Sequence, residues 1–159
     1  MIRLVIVDDM PDIRNYLAEE LAAASEQFSV VGAAEDGTEA VKLVDSLLPD
    51  VVLMDIQMKT RTEGIYAIRI IHDRHPDIKC IALTIHEDDE LIFQAYLAGA
   101  ADYIIKTRSI DTIKNSILAV VNNRLLLRPE VGQRLIQEYQ RVQNQENRMK
   151  ETMQIGRAH

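Results

Sequence analysis

The sequence predicts an α/β domain built on a doubly wound parallel sheet. Five short apolar runs alternate with segments whose apolar residues recur at helical spacing, a pattern that gives a parallel sheet with right-handed crossovers and helices on both faces. The runs are apolar throughout, without in/out alternation, as expected of strands covered on both sides. Four of them break off in residues with reactive potential: Asp8 and Asp9, Asp55, Thr84, and Lys106. Open parallel sheets bind ligands at the carboxyl ends of their strands, so residues far apart in sequence can converge there.

Each element has a local reason. Leu4 to Val7 is a strand that delivers Asp8 and Asp9; Pro11 then suits the first turn of a helix with Ile13, Leu17, Leu21 and Ala24 in one stripe. Phe28 to Ala34 is the second strand. Asp36-Gly37 turns the chain into a helix carrying Val41, Val44 and Leu48, ended by Pro49. Val51 to Met54 follows at once and delivers Asp55. A polar loop from Ile56 to Glu63 leads to Gly64, which opens a third helix with Ile65, Ile68 and Ile71 on one face and Pro76 beyond it. Lys79 to Leu83 ends at Thr84. Glu87 to Glu90 suit the positive end of a fourth helix, Gly99 stops it, and Tyr103 to Ile105 runs to Lys106. Ser109 caps a fifth helix buried through Ile110, Ile113, Ile117 and Val120.

Composition narrows the class. At 159 residues and 47% hydrophobic content, with no apolar run approaching ~18 residues, the chain reads as a soluble cytoplasmic protein with no membrane span and no export signal. Residues 1–124 hold 12 Lys/Arg against 21 Asp/Glu, and residues 125–159 hold 6 against 4. Neither part is a basic nucleic-acid footprint, and an acidic domain repels phosphate backbones. DNA contact is therefore expected only through an output domain absent from this chain or through a partner. The single cysteine, Cys80, lies within a strand run and reads as a buried structural thiol in a reducing compartment.

Taken together, Asp8-Asp9, the stretch Asp55-Ile56-Gln57-Met58, Thr84, Tyr103 and Lys106 resemble the signature of receiver domains of bacterial two-component response regulators, in register over positions 2–122. The stretch Ala98 to Lys106, then Ser109, Ala119-Val120-Val121 and Arg128 to Val131, is similar to receivers that precede LuxR-type helix-turn-helix output domains. The resemblance implies a flavodoxin-like sheet of order 2-1-3-4-5, a receiver over 1–124, and a helical linker or dimerisation tail over 125–159. Two departures stand out. Lys59 follows Met58 where the family usually has proline, in a loop to Gly64 one residue longer than usual, and Thr107 replaces the frequent proline after the site lysine.

The chemistry follows from the residue types. Three carboxylates brought together repel, and a cation relieves them. Mg2+, which favours one or two carboxylates, a carbonyl, waters and a phosphoryl oxygen, suits such a pocket. By resemblance, Asp9, Asp55 and the backbone carbonyl of Gln57 bind it directly and Asp8 through water. Asp55 accepts a phosphoryl group from a histidine kinase or phosphotransfer protein, and Lys106 and Thr84 each pair with a phosphoryl oxygen. Thr84 and Tyr103 fit the family's switch, against the plainer reading that Tyr103 packs in one rotamer throughout. Gln57 and His86 border the phosphoryl group in the family and tune its hydrolysis; for His86 an idle surface histidine is the competing reading. Singly, Asp9 is a common type of helix cap and Lys106 a common surface charge.

The tail from Pro129 to Met153 is rich in Gln, Glu and Arg and reads as a long helix, with Leu135, Val142 and Met149 repeating every seventh residue. A dimerising linker, giving a homodimer, and a lone solvated helix both fit. A dehalogenase-type hydrolase would need a second acid two residues after its nucleophile, where Gln57 stands. The expected function is a phosphorylation-dependent switch governing a transcriptional output, a signalling domain that catalyses only its own phosphorylation and dephosphorylation. The alternative is a receiver-like interaction module independent of phosphorylation.

Overall fold

The computed structural model describes residues 1–60, 62–85, 87–124 and 129–158. Strands β1 (Ile2–Val7), β2 (Phe28–Ala34), β3 (Val51–Asp55), β4 (Lys79–Thr84) and β5 (Asp102–Ile105) alternate with helices α1 (Pro11–Ala24), α2 (Gly37–Leu47), α3 (Glu63–Arg74), α4 (Asp89–Ala98) and α5 (Ile110–Val121). The strands are parallel in the order β2-β1-β3-β4-β5, the order implied by the resemblance. Side chains of β1 alternate across the sheet. Leu4 and Ile6 join Leu53, Ile81 and Leu83 in a layer closed by Leu17 and Leu21 of α1 and Ile113, Ile117 and Val120 of α5. On the other face α3 packs between α2 and α4.

Local chemistry sets the element ends. The Asp36 carboxylate accepts from Glu39 N–H to cap α2, Asp88 accepts from Glu90 and Leu91 to cap α4, and Ser109 accepts from Thr112 to cap α5. Gly99 closes α4 at φ 114°, and a Cβ there would lie 2.4 Å from the His72 ring, so both conformation and space demand glycine. Two sequence expectations shift. The third helix opens at Glu63, not Gly64, because the Thr60 hydroxyl accepts the Glu63 N–H. Leu48 is exposed in the left-handed region at φ 48° and ends α2 instead of joining its buried stripe. Beyond the end of α3, His75 pairs with Asp45 of α2 at 2.7 Å.

Cys80 lies in β4 with 1% of its surface exposed, and burial pushes its thiol pKa up to about 12. The chain divides into two compact units, Met1–Leu126 and Leu127–His159. The second unit contains α6 (Pro129–Ala158), which runs past the predicted end at Met153. Its Ile136, Tyr139, Val142, Met149 and Met153 are exposed, and Glu138 pairs with Arg141 one turn along. No helix among the described residues is long and apolar enough to cross a membrane.

Candidate functional site

The C-terminal edge of the sheet gathers the residues singled out from sequence. Asp8 follows β1, Asp55 ends β3, Thr84 ends β4 and Lys106 follows β5. Carboxylate oxygens of Asp8, Asp9 and Asp55 lie within 4.8 Å of one another. Asp8 and Asp55 are buried at 0% and 1% exposure, and Thr84 is buried as well. Lys106 Nζ reaches across the gap, donating to Asp8 Oδ2 at 2.7 Å and lying 2.9 Å from Asp55 Oδ2.

Backbone geometry fixes these side chains. Asp55 Oδ1 accepts the Gln57 N–H at 2.8 Å, and Asp8 Oδ1 accepts the Met10 N–H at 2.9 Å. Arg14 of α1 donates to the Asp8 carbonyl at 2.8 Å. The N-cap of α1 is Met10 with no side-chain cap, so Asp9 is not committed to capping. Gly64 lets α3 approach: a Cβ there would sit 2.3 Å from the Asp55 carbonyl oxygen. In the unusual loop, Ile56 and Met58 are buried while Lys59 and Thr60 are exposed.

Electrostatics follow from burial. Desolvation raises the Asp55 pKa above 3.8, outweighing the Lys106 contact and the Gln57 amide, and the Asp8 charge pushes the same way. Burial works against the charge of Lys106 too, but its hydrogen bond to Asp8, its close contact with Asp55 and the charges of both outweigh it and raise the ammonium pKa above 10.5. Asp55 Oδ2 takes no hydrogen bond within accepted angles, so charge alone ties it to Lys106. Three carboxylates against one ammonium leave two negative charges, which with this oxygen fits a divalent cation.

Two features escaped the sequence reading. The Gln57 side chain does not point to solvent: its Oε1 accepts from the Thr84 hydroxyl at 2.8 Å and from Ile85 N–H at 2.6 Å. Asp102 at the start of β5 accepts from Tyr103 N–H at 2.8 Å and Ser116 Oγ at 2.5 Å, and Tyr96 Oη reaches it at 3.5 Å. The Tyr103 ring is buried edge-on against Tyr96, with centroids 6.0 Å apart. His86 lies outside the described residues.

Acids and a lysine converging at this edge of a 2-1-3-4-5 sheet are the mark of receiver domains. The same class emerges from comparison: the family of the response regulator receiver domain matches residues 4–118, and the chain belongs to it. Among its relatives, the transcriptional regulatory protein DegU of Brevibacillus brevis is 36% identical over 155 residues, covering 98% of this chain and 64% of DegU. The chain thus spans less than two thirds of that relative. A LuxR-family two-component response regulator from Aurantimonas sp. SI85-9A1 superposes with a TM-score of 0.73 at 28% identity, covering 86% of this chain and 96% of that one. The receiver domain of NarL from Mycobacterium tuberculosis gives 0.71 at 28%, covering 77% and 98%. Receiver domains are signalling domains of two-component systems, working through phosphorylation and generally binding Mg2+ in their acidic pocket.

Proposed function

We propose that Asp55 accepts a phosphoryl group from a histidine kinase or phosphotransfer protein in the cytoplasm, and that the modified domain governs a transcriptional output. The observation that carries this reading is the Asp55 carboxylate itself: held by the Gln57 N–H through Oδ1, it keeps Oδ2 clear of directed hydrogen bonds beside Lys106. An oxygen with unshared lone pairs is what an in-line attack on phosphorus needs. Lys106 carries a permanent positive charge to the developing phosphoryl oxygens, and Thr84 offers a hydroxyl donor from the end of the adjacent strand β4. Asp8, Asp9, Asp55 and the Gln57 carbonyl are the groups that would hold Mg2+. The ion, when bound, neutralises charge that otherwise opposes attack by one anion on another. Thr84 and Tyr103 form the switch pair, and Gln57 and His86 tune the lifetime of the acyl phosphate.

The transcriptional output is proposed by likeness to DegU, a transcriptional regulatory protein. We assign 1–124 to the receiver and 125–159 to a linker or dimerisation tail. Leu135, Tyr139, Val142, Met149 and Met153 recur at three- and four-residue steps with Glu146 between, a seam that buries little alone and more against a second copy. Sedimentation of the full chain and of a truncation after Arg128 tests this: dimerisation weakened about tenfold by truncation is expected, and equal dimerisation makes the tail a solvated linker.

Acetyl phosphate with Mg2+, read by intact mass, tests the central reading. One base-labile phosphoryl group is expected, lost in Asp55→Asn and on chelation. Undiminished labelling of the Asn variant moves the site elsewhere. No labelling of the wild type leaves the chain a phosphorylation-independent interaction module.

A further inference from the structure

Gln57 is tied at both ends. Its N–H donates to Asp55 Oδ1 at 2.8 Å, and its side-chain oxygen accepts two bonds, from Ile85 N–H at 2.6 Å and from Thr84 Oγ1 at 2.8 Å. The Ile85 contact fixes the sense of the amide. A backbone N–H can only donate, so the atom facing it is the oxygen, and a hydroxyl facing that oxygen must donate as well. Thr84 has one hydroxyl proton, and with 1% of its surface exposed the side chain has little access to solvent.

A phosphoryl group on Asp55 would present acceptor oxygens only. Thr84 could donate to one of them only by withdrawing its proton from Gln57. The two acceptors therefore compete, and the strength of the Gln57 bond opposes the switched conformation. We infer that the Gln57 amide is a positioning element that holds the Thr84 hydroxyl away from the phosphoacceptor and sets how readily the domain adopts its phosphorylated state. This rests on the reading of Asp55 as phosphoacceptor, and it assigns to the side chain a role separate from that of the Gln57 backbone carbonyl.

The same contacts serve equally well as a simple staple between the β3–α3 loop and the end of β4, so the decisive measurement must depend on the Thr84 proton. Trifluoroberyllate, a phosphoryl mimic that does not hydrolyse, is titrated into the full chain at saturating Mg2+. Gln57→Met keeps the side-chain length and the backbone carbonyl but removes the acceptor. It is expected to bind the mimic about fivefold more tightly than wild type, the size of one net hydrogen bond. Made in a Thr84→Val background, the same substitution is expected to change affinity by less than about 1.5-fold.

Gln57→Ala is a second variant with the same expected sign, and faster exchange of the Ile85 amide reports loss of the bond in either. Equal effects with and without the Thr84 hydroxyl, or no effect with it, overturn the inference and leave Gln57 a loop staple. If wild type neither binds the mimic nor is labelled by acetyl phosphate, the Asp55 reading fails and this inference fails with it.

Discussion

At the C-terminal edge of the sheet one ammonium, Lys106, faces two carboxylates, Asp8 at 2.7 Å and Asp55 at 2.9 Å. Between α2 and α3 the arrangement is inverted: one carboxylate, Asp45, faces two basic groups, Arg74 at 2.6 Å and His75 at 2.7 Å. The distances match, but the surroundings do not. Asp8 and Asp55 are sealed from water, whereas the Asp45 side chain is 40% exposed. In the exposed cluster the hydrogen bond from His75 leads the shift of Asp45 below 3.8, and together with Arg74 it prevails over desolvation. In the buried cluster desolvation leads, and Asp55 moves the other way despite its lysine. Ion-pair geometry alone therefore does not mark a functional site; what marks it is charge kept where the protein would be more stable without it.

The most severe way to break the comparison is to remove the shared cation of the buried cluster. Lys106→Met leaves Asp8 and Asp55 dry and uncompensated, a loss of about 3–5 kcal/mol by the usual cost of orphaning a buried charge. Thermal melts in a chelator are expected to show a Tm lower by about 10 °C, with Mg2+ restoring part of it. A change below about 2 °C would show that the pocket admits water freely.

A smaller effect of opposite sign sharpens it. Asp55→Asn is expected to raise the metal-free Tm by about 3 °C near neutral pH, about 1 kcal/mol. The sign follows from linkage: the folded carboxyl holds its proton more tightly than the unfolded one, so wild-type stability falls as pH rises above 3.8. The advantage of the Asn variant should therefore shrink as pH drops toward 4, and an advantage that grows there sinks the assignment of burial as the leading cause.

The smallest effect belongs to the exposed cluster. Its carboxyl pKa is lowered, so any stability it contributes is present above 3.8 and lost as pH falls below it. Asp45→Ala is expected to shift Tm by no more than about 2 °C at neutral pH, less still in high salt. A larger loss would mean that the α2–α3 contact depends on this clasp rather than on apolar packing.

These contrasts also show what could be read from sequence. Strand positions and helix faces were legible because continuous apolar runs and helical spacing are local signals, whereas the strand order came only from the family resemblance; Asp8, Asp9, Asp55, Thr84 and Lys106 were legible because each closes a run. The Gln57 bond to Thr84 was not. It joins residues 27 apart, and only the pairing of β3 with β4 brings them together. Gly64 left a trace, a lone glycine nine residues past Asp55, but its reason is a backbone approach that no sequence pattern encodes. Asp45 and His75 offered nothing, since exposed acids and histidines at helix ends are common, and only the packing of α2 on α3 pairs them.

The buried thiol of Cys80 gives this chain a built-in clock. With its pKa pushed up to about 12 and its side chain sealed in β4, where it pairs with Val52 of β3, it can meet an alkylating reagent only when the sheet itself opens. It is the sole cysteine, so every adduct counts one opening event, with no tag or engineered probe. Pulsed alkylation read by mass would time the breathing of the strands that carry Asp55 and Thr84, and the same trace taken with and without Mg2+ would report how strongly the acidic edge grips the sheet beneath it.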